Sequence, residues 1–209
     1  METLYLILGI VTAYLIGSIP SAVWVGKIFY GIDIRTQGSG NAGATNTIRV
    51  LGVKAGIPVL LFDVFKGWFA VYLAHFFIPG YFSTGQIIVF EIIIAAVAVL
   101  GHVFPVFAGF RGGKGIATLL GVGMALYPSE VFIVIAIFIL MLITFKYVSL
   151  ASITASICFP FIVFFIFNQT SAPLIILSVL VGIFIPITHR NNIKRLLNGT
   201  ESKFSTKKK

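Results

Sequence analysis

Seven long apolar runs, separated by short polar segments, limit this chain more than any other feature. They are read at about 4–26, 55–78, 86–107, 116–127, 129–145, 148–167 and 173–187. A helix needs roughly 20 apolar residues to cross a bilayer, with a range of about 17–25, and most of the runs meet that length. The run at 116–127 is short and stops at Pro128, so it is expected to be tilted, shielded by neighbours or part of a re-entrant hairpin. The run at 173–187 is also short. Only 10% of the residues are charged, against about a quarter in an ordinary soluble domain. A mean hydropathy of +1.07 agrees. The expected fold is all-α: a polytopic integral membrane protein of about seven transmembrane helices. It is read as one domain over 1–209, ending in a basic tail at 202–209 that is expected to be flexible.

Charge distribution orients the runs. Lys27, Arg35, Arg49 and Lys54 lie between the first and second, Arg111 and Lys114 between the third and fourth, and Lys146 between the fifth and sixth. The remaining basic residues form the tail, except Lys66, which lies inside the second run. The segments expected on the opposite side carry no Lys or Arg. Basic residues stay on the cytoplasmic side, so the N-terminus is expected outside and the C-terminus in the cytoplasm. The formal charge of +9 is therefore read as topology, and no nucleic-acid partner is expected. The first run lacks a basic leader and reads as an uncleaved anchor. Cys158, the single cysteine, sits in an apolar run and reads as a small buried hydrophobe.

Polar chemistry concentrates in three segments on that inner side. GSGNAGATN at 38–46 contains G-x-G-x-x-G, but a dinucleotide site needs a strand, a helix and an accessible acid about 20 residues on. The acid there is Asp63, within an apolar run, so the dinucleotide reading fails. Gly38, Gly40 and Gly43 free the backbone to aim amides at an anion, Ser39, Asn41, Thr45 and Asn46 add short polar groups, and Arg49 adds a fork suited to phosphate. An anion site explains these residues better than a flexible linker. FRGGKGIAT at 110–118 fails as a Walker A loop, because Ala108 and Gly115 stand where Gly and Ser or Thr are required. Its chemistry transfers: Gly112, Gly113 and Gly115 present amides, Lys114 a point charge, and the next helix its N-terminus. In THRNNIKRLLNGTE at 188–201, His189, Asn192 and Arg195 are expected on one helical face, while Glu201 reads either as a tail carboxylate or as an orienting partner for a base.

Asp63 and Lys66 share a helical face within the second run. Intramembrane ions are costly; a structural pair is the first reading and support for the neighbouring loop the second. His102 reads as bonded to a neighbour or orienting a loop, and Ser149 as an N-cap or a site hydroxyl. Small residues four apart, Ala117, Gly121 and Ala125, then Ala151 and Ala155, suit close helix packing. His75 and Glu91 suggest no role, and no internal repeat is visible.

GSGNAGATNTIRVLG, HVFPVFAGFRGGKGIAT, KYVSLASI and THRNNIKRLLNGTE, in this order and spread over the whole chain, resemble the bacterial acyl-phosphate-dependent glycerol-3-phosphate acyltransferases, the PlsY family. The lysine-rich ending after Glu201 departs from that pattern. The resemblance implies transfer of a fatty acyl group from acyl phosphate to the 1-hydroxyl of sn-glycerol 3-phosphate, giving lysophosphatidate and phosphate, the first acylation of phospholipid synthesis. It implies no cofactor, no metal and no acyl-CoA donor; no histidine begins the H-x-x-x-x-D pattern of other glycerolipid acyltransferases, the fifth residues on being Gly80, Phe107 and Lys194. It further implies the bacterial inner membrane, an active site facing the cytoplasm, and a possible soluble partner that makes the acyl phosphate.

The implied reacting set is Lys114, His189, Ser39, Arg49 and Asn192. Gly112, Gly113, Lys114 and Gly115, with Thr45 and Asn46, are assigned the donor's phosphate. Ser39, Arg49, His189 and Asn192 are assigned glycerol 3-phosphate. Gly40, Asn41, Gly43, Thr118, Ser149, Arg195 and Glu201 complete the substrate-contacting set. A small transporter or channel for an anionic metabolite is the rival, and it would place ionisable residues near mid-membrane. Only Asp63 and Lys66 lie there. A non-catalytic subunit with a recruiting basic tail would leave the glycine loops unexplained.

Overall fold

A computed structural model describes residues 2–204; most of the basic tail, from 205 on, lies outside the described residues. The described residues are helical and loop, without strands. The chain forms two compact units, one over residues up to 125 and one from 126, and each is described by itself.

In the first unit, the opening apolar run is two helices, α1 (Glu2–Gly17) and α2 (Ser21–Tyr30), bent by 42°. Pro20 causes the break: it lacks an amide hydrogen and pushes Ile19 out of helical geometry. A short helix follows, α3 (Ala44–Leu51), in what the sequence suggests is loop. Next come α4 (Val53–Ala74) and α5 (Thr84–Val103). At 1.5 Å per residue, α4 is about 33 Å long, enough for a hydrocarbon layer of about 30 Å. Ser83 and Gln86 close a reciprocal capping box at the start of α5. The unit ends with α6 (Ile116–Leu126), only 11 residues long.

Lipid tails are as apolar as leucine, so burial alone does not drive helices together in a membrane; close packing at small residues does. The unit shows this twice. A Cβ on Gly17 would strike the Ala98 carbonyl, and one on Gly101 the Tyr14 carbonyl, so α1 and α5 touch backbone to backbone. Gly67 meets the Thr118 carbonyl and Gly121 the Val64 carbonyl, which locks α4 to α6 in the same reciprocal way. Ala13, Ala70, Ala74, Phe90, Ile94 and Ala98 form the buried core between α1, α4 and α5.

The second unit holds α7 (Glu130–Phe145), α8 (Val148–Phe161), α9 (Ala172–Thr188) and α10 (Arg190–Leu197). After Pro160 the end of α8 widens into a π turn at Ile162–Ile166, as expected where a proline removes an intrahelical donor. Ala151 and Ala155 are buried, as their spacing suggests. Tyr127 donates to the Leu174 carbonyl at 2.6 Å and meets the Phe159 ring edge-on. Helices α9 and α10 meet at a 60° bend. Among the described residues, three helices can cross a membrane by length and composition, or five if each bent pair is one span; α6 and α7 are shorter apolar helices.

Candidate active site

The 38–46 loop is held by one side chain. Asn46, wholly buried, accepts from the Ser39 amide at 2.8 Å and donates to the Ile34 and Gln37 carbonyls, both at 3.0 Å. Gly38 has φ 61°, the left-handed region that favours glycine, and a Cβ there would also strike the Asn46 amide. Asn46 thus shapes the loop, leaving Ser39 and Gly40 exposed and Asn41, Gly43 and Thr45 partly so. Gly43 caps α3, which presents Arg49, half-buried, three residues past the end of the loop.

The second loop folds onto the first. The Gly112 amide donates to the Val103 carbonyl at 3.1 Å and the Gly113 amide to the His102 carbonyl at 3.2 Å, clipping the chain to the end of α5. Gly113 is sandwiched: a Cβ would meet the His102 ring on one side and the Ala42 carbonyl on the other. Two segments separated by some 70 residues in the sequence therefore touch through a glycine. Gly115, at φ 79°, turns the chain into α6, whose first-turn amides have no intrahelical acceptors. Lys114 is half-buried between Gly113 and that helix start. Thr118 is wholly buried, its backbone against Gly67.

The sequence reading passed over a third tie. Asp33 takes a two-pronged pair from Arg35, at 2.9 and 2.7 Å, while Arg35 Nη1 donates to the Ala108 carbonyl at 2.7 Å. Lys27 pairs with the same carboxylate at 3.3 Å. The Arg35 hydrogen bonds hold the Asp33 carboxyl far below the usual carboxylate range, against an opposing push from burial. The signal lay in the spacing D-I-R: Asp33 caps a 3-10 turn at Ile34–Thr36, accepting the Arg35 amide, and an arginine two residues after such a cap can close a local pair.

In the second unit, Glu201 is the centre. Its Oε1 accepts from Ser149 Oγ at 2.7 Å and Asn192 Nδ2 at 2.6 Å, and its Oε2 from Arg195 Nε at 2.7 Å. Gly199, at φ 67°, makes the turn that returns Glu201 to α10, where its amide donates to the Arg195 carbonyl at 3.1 Å. Burial raises the Glu201 pKa, but the three hydrogen bonds outweigh it and leave the carboxyl below its usual value. Ser149 is not an N-cap, as its position suggests: Tyr147 precedes the helix, and the Ser149 hydroxyl goes to Glu201. His189 is the N-cap of α10, and its carbonyl accepts the Ile193 amide at 2.9 Å. It stands at the bend before α10, buried, with Nδ1 at 2.9 Å from the Ile185 carbonyl. That contact makes Nδ1 the donor and Nε2 the nitrogen able to accept a proton.

Asp63 and Lys66 pair at 2.8 Å, both buried. His75 and Glu91 approach to 3.5 Å.

A family model described as glycerol-3-phosphate acyltransferase matches residues 7–199. A glycerol-3-phosphate acyltransferase of Fusobacterium nucleatum is 48% identical over 195 residues, covering 93% of this chain and 96% of its own. A glycerol-3-phosphate acyltransferase 2 of Bacillus anthracis is 48% identical over 197 residues, covering 94% and 98%. A crystal structure of PlsY (YgiH), an integral membrane glycerol 3-phosphate acyltransferase in its glycerol 3-phosphate form, superposes with a TM-score of 0.83 at 36% identity, covering 96% of both chains.

Proposed function

This chain belongs to the glycerol-3-phosphate acyltransferase family, and we propose that it is a multi-pass membrane enzyme that moves a fatty acyl group from acyl phosphate to the 1-hydroxyl of glycerol 3-phosphate. The observation that carries the donor's identity is the 112–115 loop, clipped to α5, pressed on Ala42 and leading into the N-terminus of α6. Backbone amides, one lysine and a helix start are suited to a phosphate dianion. An acyl phosphate arrives activated, so the protein's work is to position two phosphates and neutralise charge.

In the proposed reaction Lys114 and the loop amides hold the donor's phosphate. Arg49, Ser39, His189 and Asn192 hold glycerol 3-phosphate. The 1-hydroxyl oxygen attacks the acyl carbon, the bond from that carbon to the phosphate oxygen breaks, and inorganic phosphate leaves. The hydroxyl proton passes to the leaving phosphate, with His189 Nε2 holding the hydroxyl. Glu201, through Asn192 and Arg195, orients the glycerol 3-phosphate side. The three long helices and two bent pairs supply up to five spans among the described residues; seven passes follow if the shorter α6 and α7 also cross, and the basic inner segments favour an N-terminus outside and glycine loops facing the cytoplasm of a bacterial inner membrane. The soluble enzyme that supplies acyl phosphate is the expected visitor to that basic face.

The deciding assay uses purified protein in bicelles with synthetic acyl phosphate and glycerol 3-phosphate, following phosphate release. Wild type is expected to turn over and Lys114→Ala to lose on the order of 1,000-fold, as when a transition-state charge donor is removed. Equal rates for the two would sink the reading. His189→Ala is expected to raise KM while turnover survives; a collapse of kcat would make the histidine the base.

A further inference from the structure

We propose that Ser21, Asp63, Lys66 and His102 form a buried clamp that sets the position of the 112–115 loop, which makes His102 and the Asp63–Lys66 pair positioning residues for the acyl transfer. The inference rests on reading that loop as the holder of the donor phosphate. Charged groups inside a membrane helix are costly, and well-packed apolar residues of like volume often stabilise a buried site as well as an ion pair does. Four polar groups gathered in one place therefore call for a task.

Their connections supply it. Asp63 Oδ1 accepts from Ser21 Oγ at 2.8 Å and pairs with Lys66 Nζ at 2.8 Å. Lys66 Nζ also donates to the Ile19 carbonyl at 2.9 Å, so the pair holds the break between α1 and α2. His102 Nδ1 stands 3.7 Å from the same Asp63 oxygen, within ion-pair reach and beyond a hydrogen bond. The other ring nitrogen, Nε2, lies so close to Gly113 that a Cβ there would strike it, while the His102 carbonyl accepts the Gly113 amide. One carboxylate oxygen is thus linked through one imidazole to the residue before Lys114.

Ser21, Ala42, Lys66, His102, Gly112 and Gly113 also line a cavity of about 10 Å³. That is room for about one water, so a phosphate does not enter it. The cluster acts on the reaction through the loop, not by touching substrate.

The test compares purified wild type with His102→Ala, His102→Asn, the doubly neutral Asp63→Asn/Lys66→Met, and a cycle of His102→Ala with Lys114→Arg. A displacement of about 1 Å at a reacting group costs on the order of 100-fold. His102→Ala is therefore expected to lower kcat about 100-fold with KM for glycerol 3-phosphate changed less than about threefold. His102→Asn, which keeps a planar polar group, is expected to recover most of that loss. Adding His102→Ala to Lys114→Arg is expected to cost much less than it does alone, because both act on one element. Should His102→Ala fail to fold, the Asp63→Asn/Lys66→Met variant carries the same kcat comparison, with a loss of similar size expected. A folded His102→Ala or ion-pair variant with wild-type kcat, or costs that simply multiply in the cycle, overturns the clamp. If Lys114→Ala is also fully active, the phosphate-loop reading falls with it; if Lys114→Ala is inactive, only the clamp falls.

Discussion

The loops at 38–46 and 110–118 keep their shape largely with backbone groups and missing side chains, Asn46 being the side chain that ties the first, whereas the segment from His189 to Glu201 keeps its own with side chains and a carboxylate. In the first region Gly112, Gly113 and Gly38 sit where a Cβ would collide with a carbonyl, a ring or the Asn46 amide. In the second, three different donors converge on Glu201. A backbone-built region is unforgiving of a single added methyl, because a carbonyl has nowhere to move. A side-chain network loses its members one by one and degrades in steps.

The largest effect is expected from Gly113→Ala. The new methyl meets both the His102 ring and the Ala42 carbonyl, so the loops must separate. Turnover is expected to fall on the order of 100-fold. Helix content by circular dichroism should stay unchanged, because no helix includes Gly113. An alanine variant of wild-type activity would mean that the loop contact has slack.

Next is Glu201→Gln, which leaves shape but removes the charge that three donors share. Arg195 is 41% exposed and Glu201 6%, so water keeps the guanidinium solvated and the loss falls on the buried acceptor. About 1–3 kcal/mol of stability is expected to go, read from chemical or thermal unfolding of the second unit. The pH dependence follows from the lowered Glu201 pKa. A carboxyl with a folded pKa below its unfolded one contributes full stability above the unfolded value and loses it as pH falls through the folded one. The stability gap between wild type and Glu201→Gln should hold from neutral pH down to about 5 and close below the ordinary glutamate value of about 4.3. A gap that persists in acid would show that shape, not charge, holds the segment.

How much of this was legible in the sequence divides along the same line. The apolar runs, the glycine loops and the Asp63–Lys66 pair follow from composition and spacing, because lipid and charge cost act on each segment alone. The convergence of Gly113 on Ala42 needs the packing of α4, α5 and α6, which no local pattern encodes. Helix α3 was hidden by its eight residues, although glycines at both ends, Gly43 and Gly52, mark it. The break at Pro20 was readable, as proline stands within the first run. Asn46 illustrates the harder case. Its type suits a phosphate ligand and a loop organiser equally, and only its three backbone partners tell them apart. Glu201 reads as a tail acid until the turn at Gly199 is known.

Asn46→Ala tests a place where the backbone-built region relies on a side chain. Loss of one acceptor and two donors exposes the Ser39 amide and the Ile34 and Gln37 carbonyls to being unpaired. About 1–3 kcal/mol is expected, together with a raised KM for glycerol 3-phosphate through the displaced Ser39. A raised KM without loss of stability would turn Asn46 from an organiser into a direct ligand.

The smallest effect is expected from Ser149→Ala. The hydroxyl is one of three donors to Glu201, and its removal leaves Asn192 and Arg195 in place on the two carboxylate oxygens. Ser149 is buried, so water does not readily replace the lost bond, yet the carboxylate keeps one short bond on each oxygen. A net cost of about 0.5–1.5 kcal/mol follows from a single hydrogen bond, with turnover within about threefold of wild type. The contrast with Gly113→Ala is the sharpest test of the two building principles: one methyl added to a loop is expected to cost far more activity than one hydroxyl taken from a network. If Ser149→Ala instead abolishes turnover while the protein melts normally, the hydroxyl touches substrate, and the Glu201 network is part of the chemistry and not its frame.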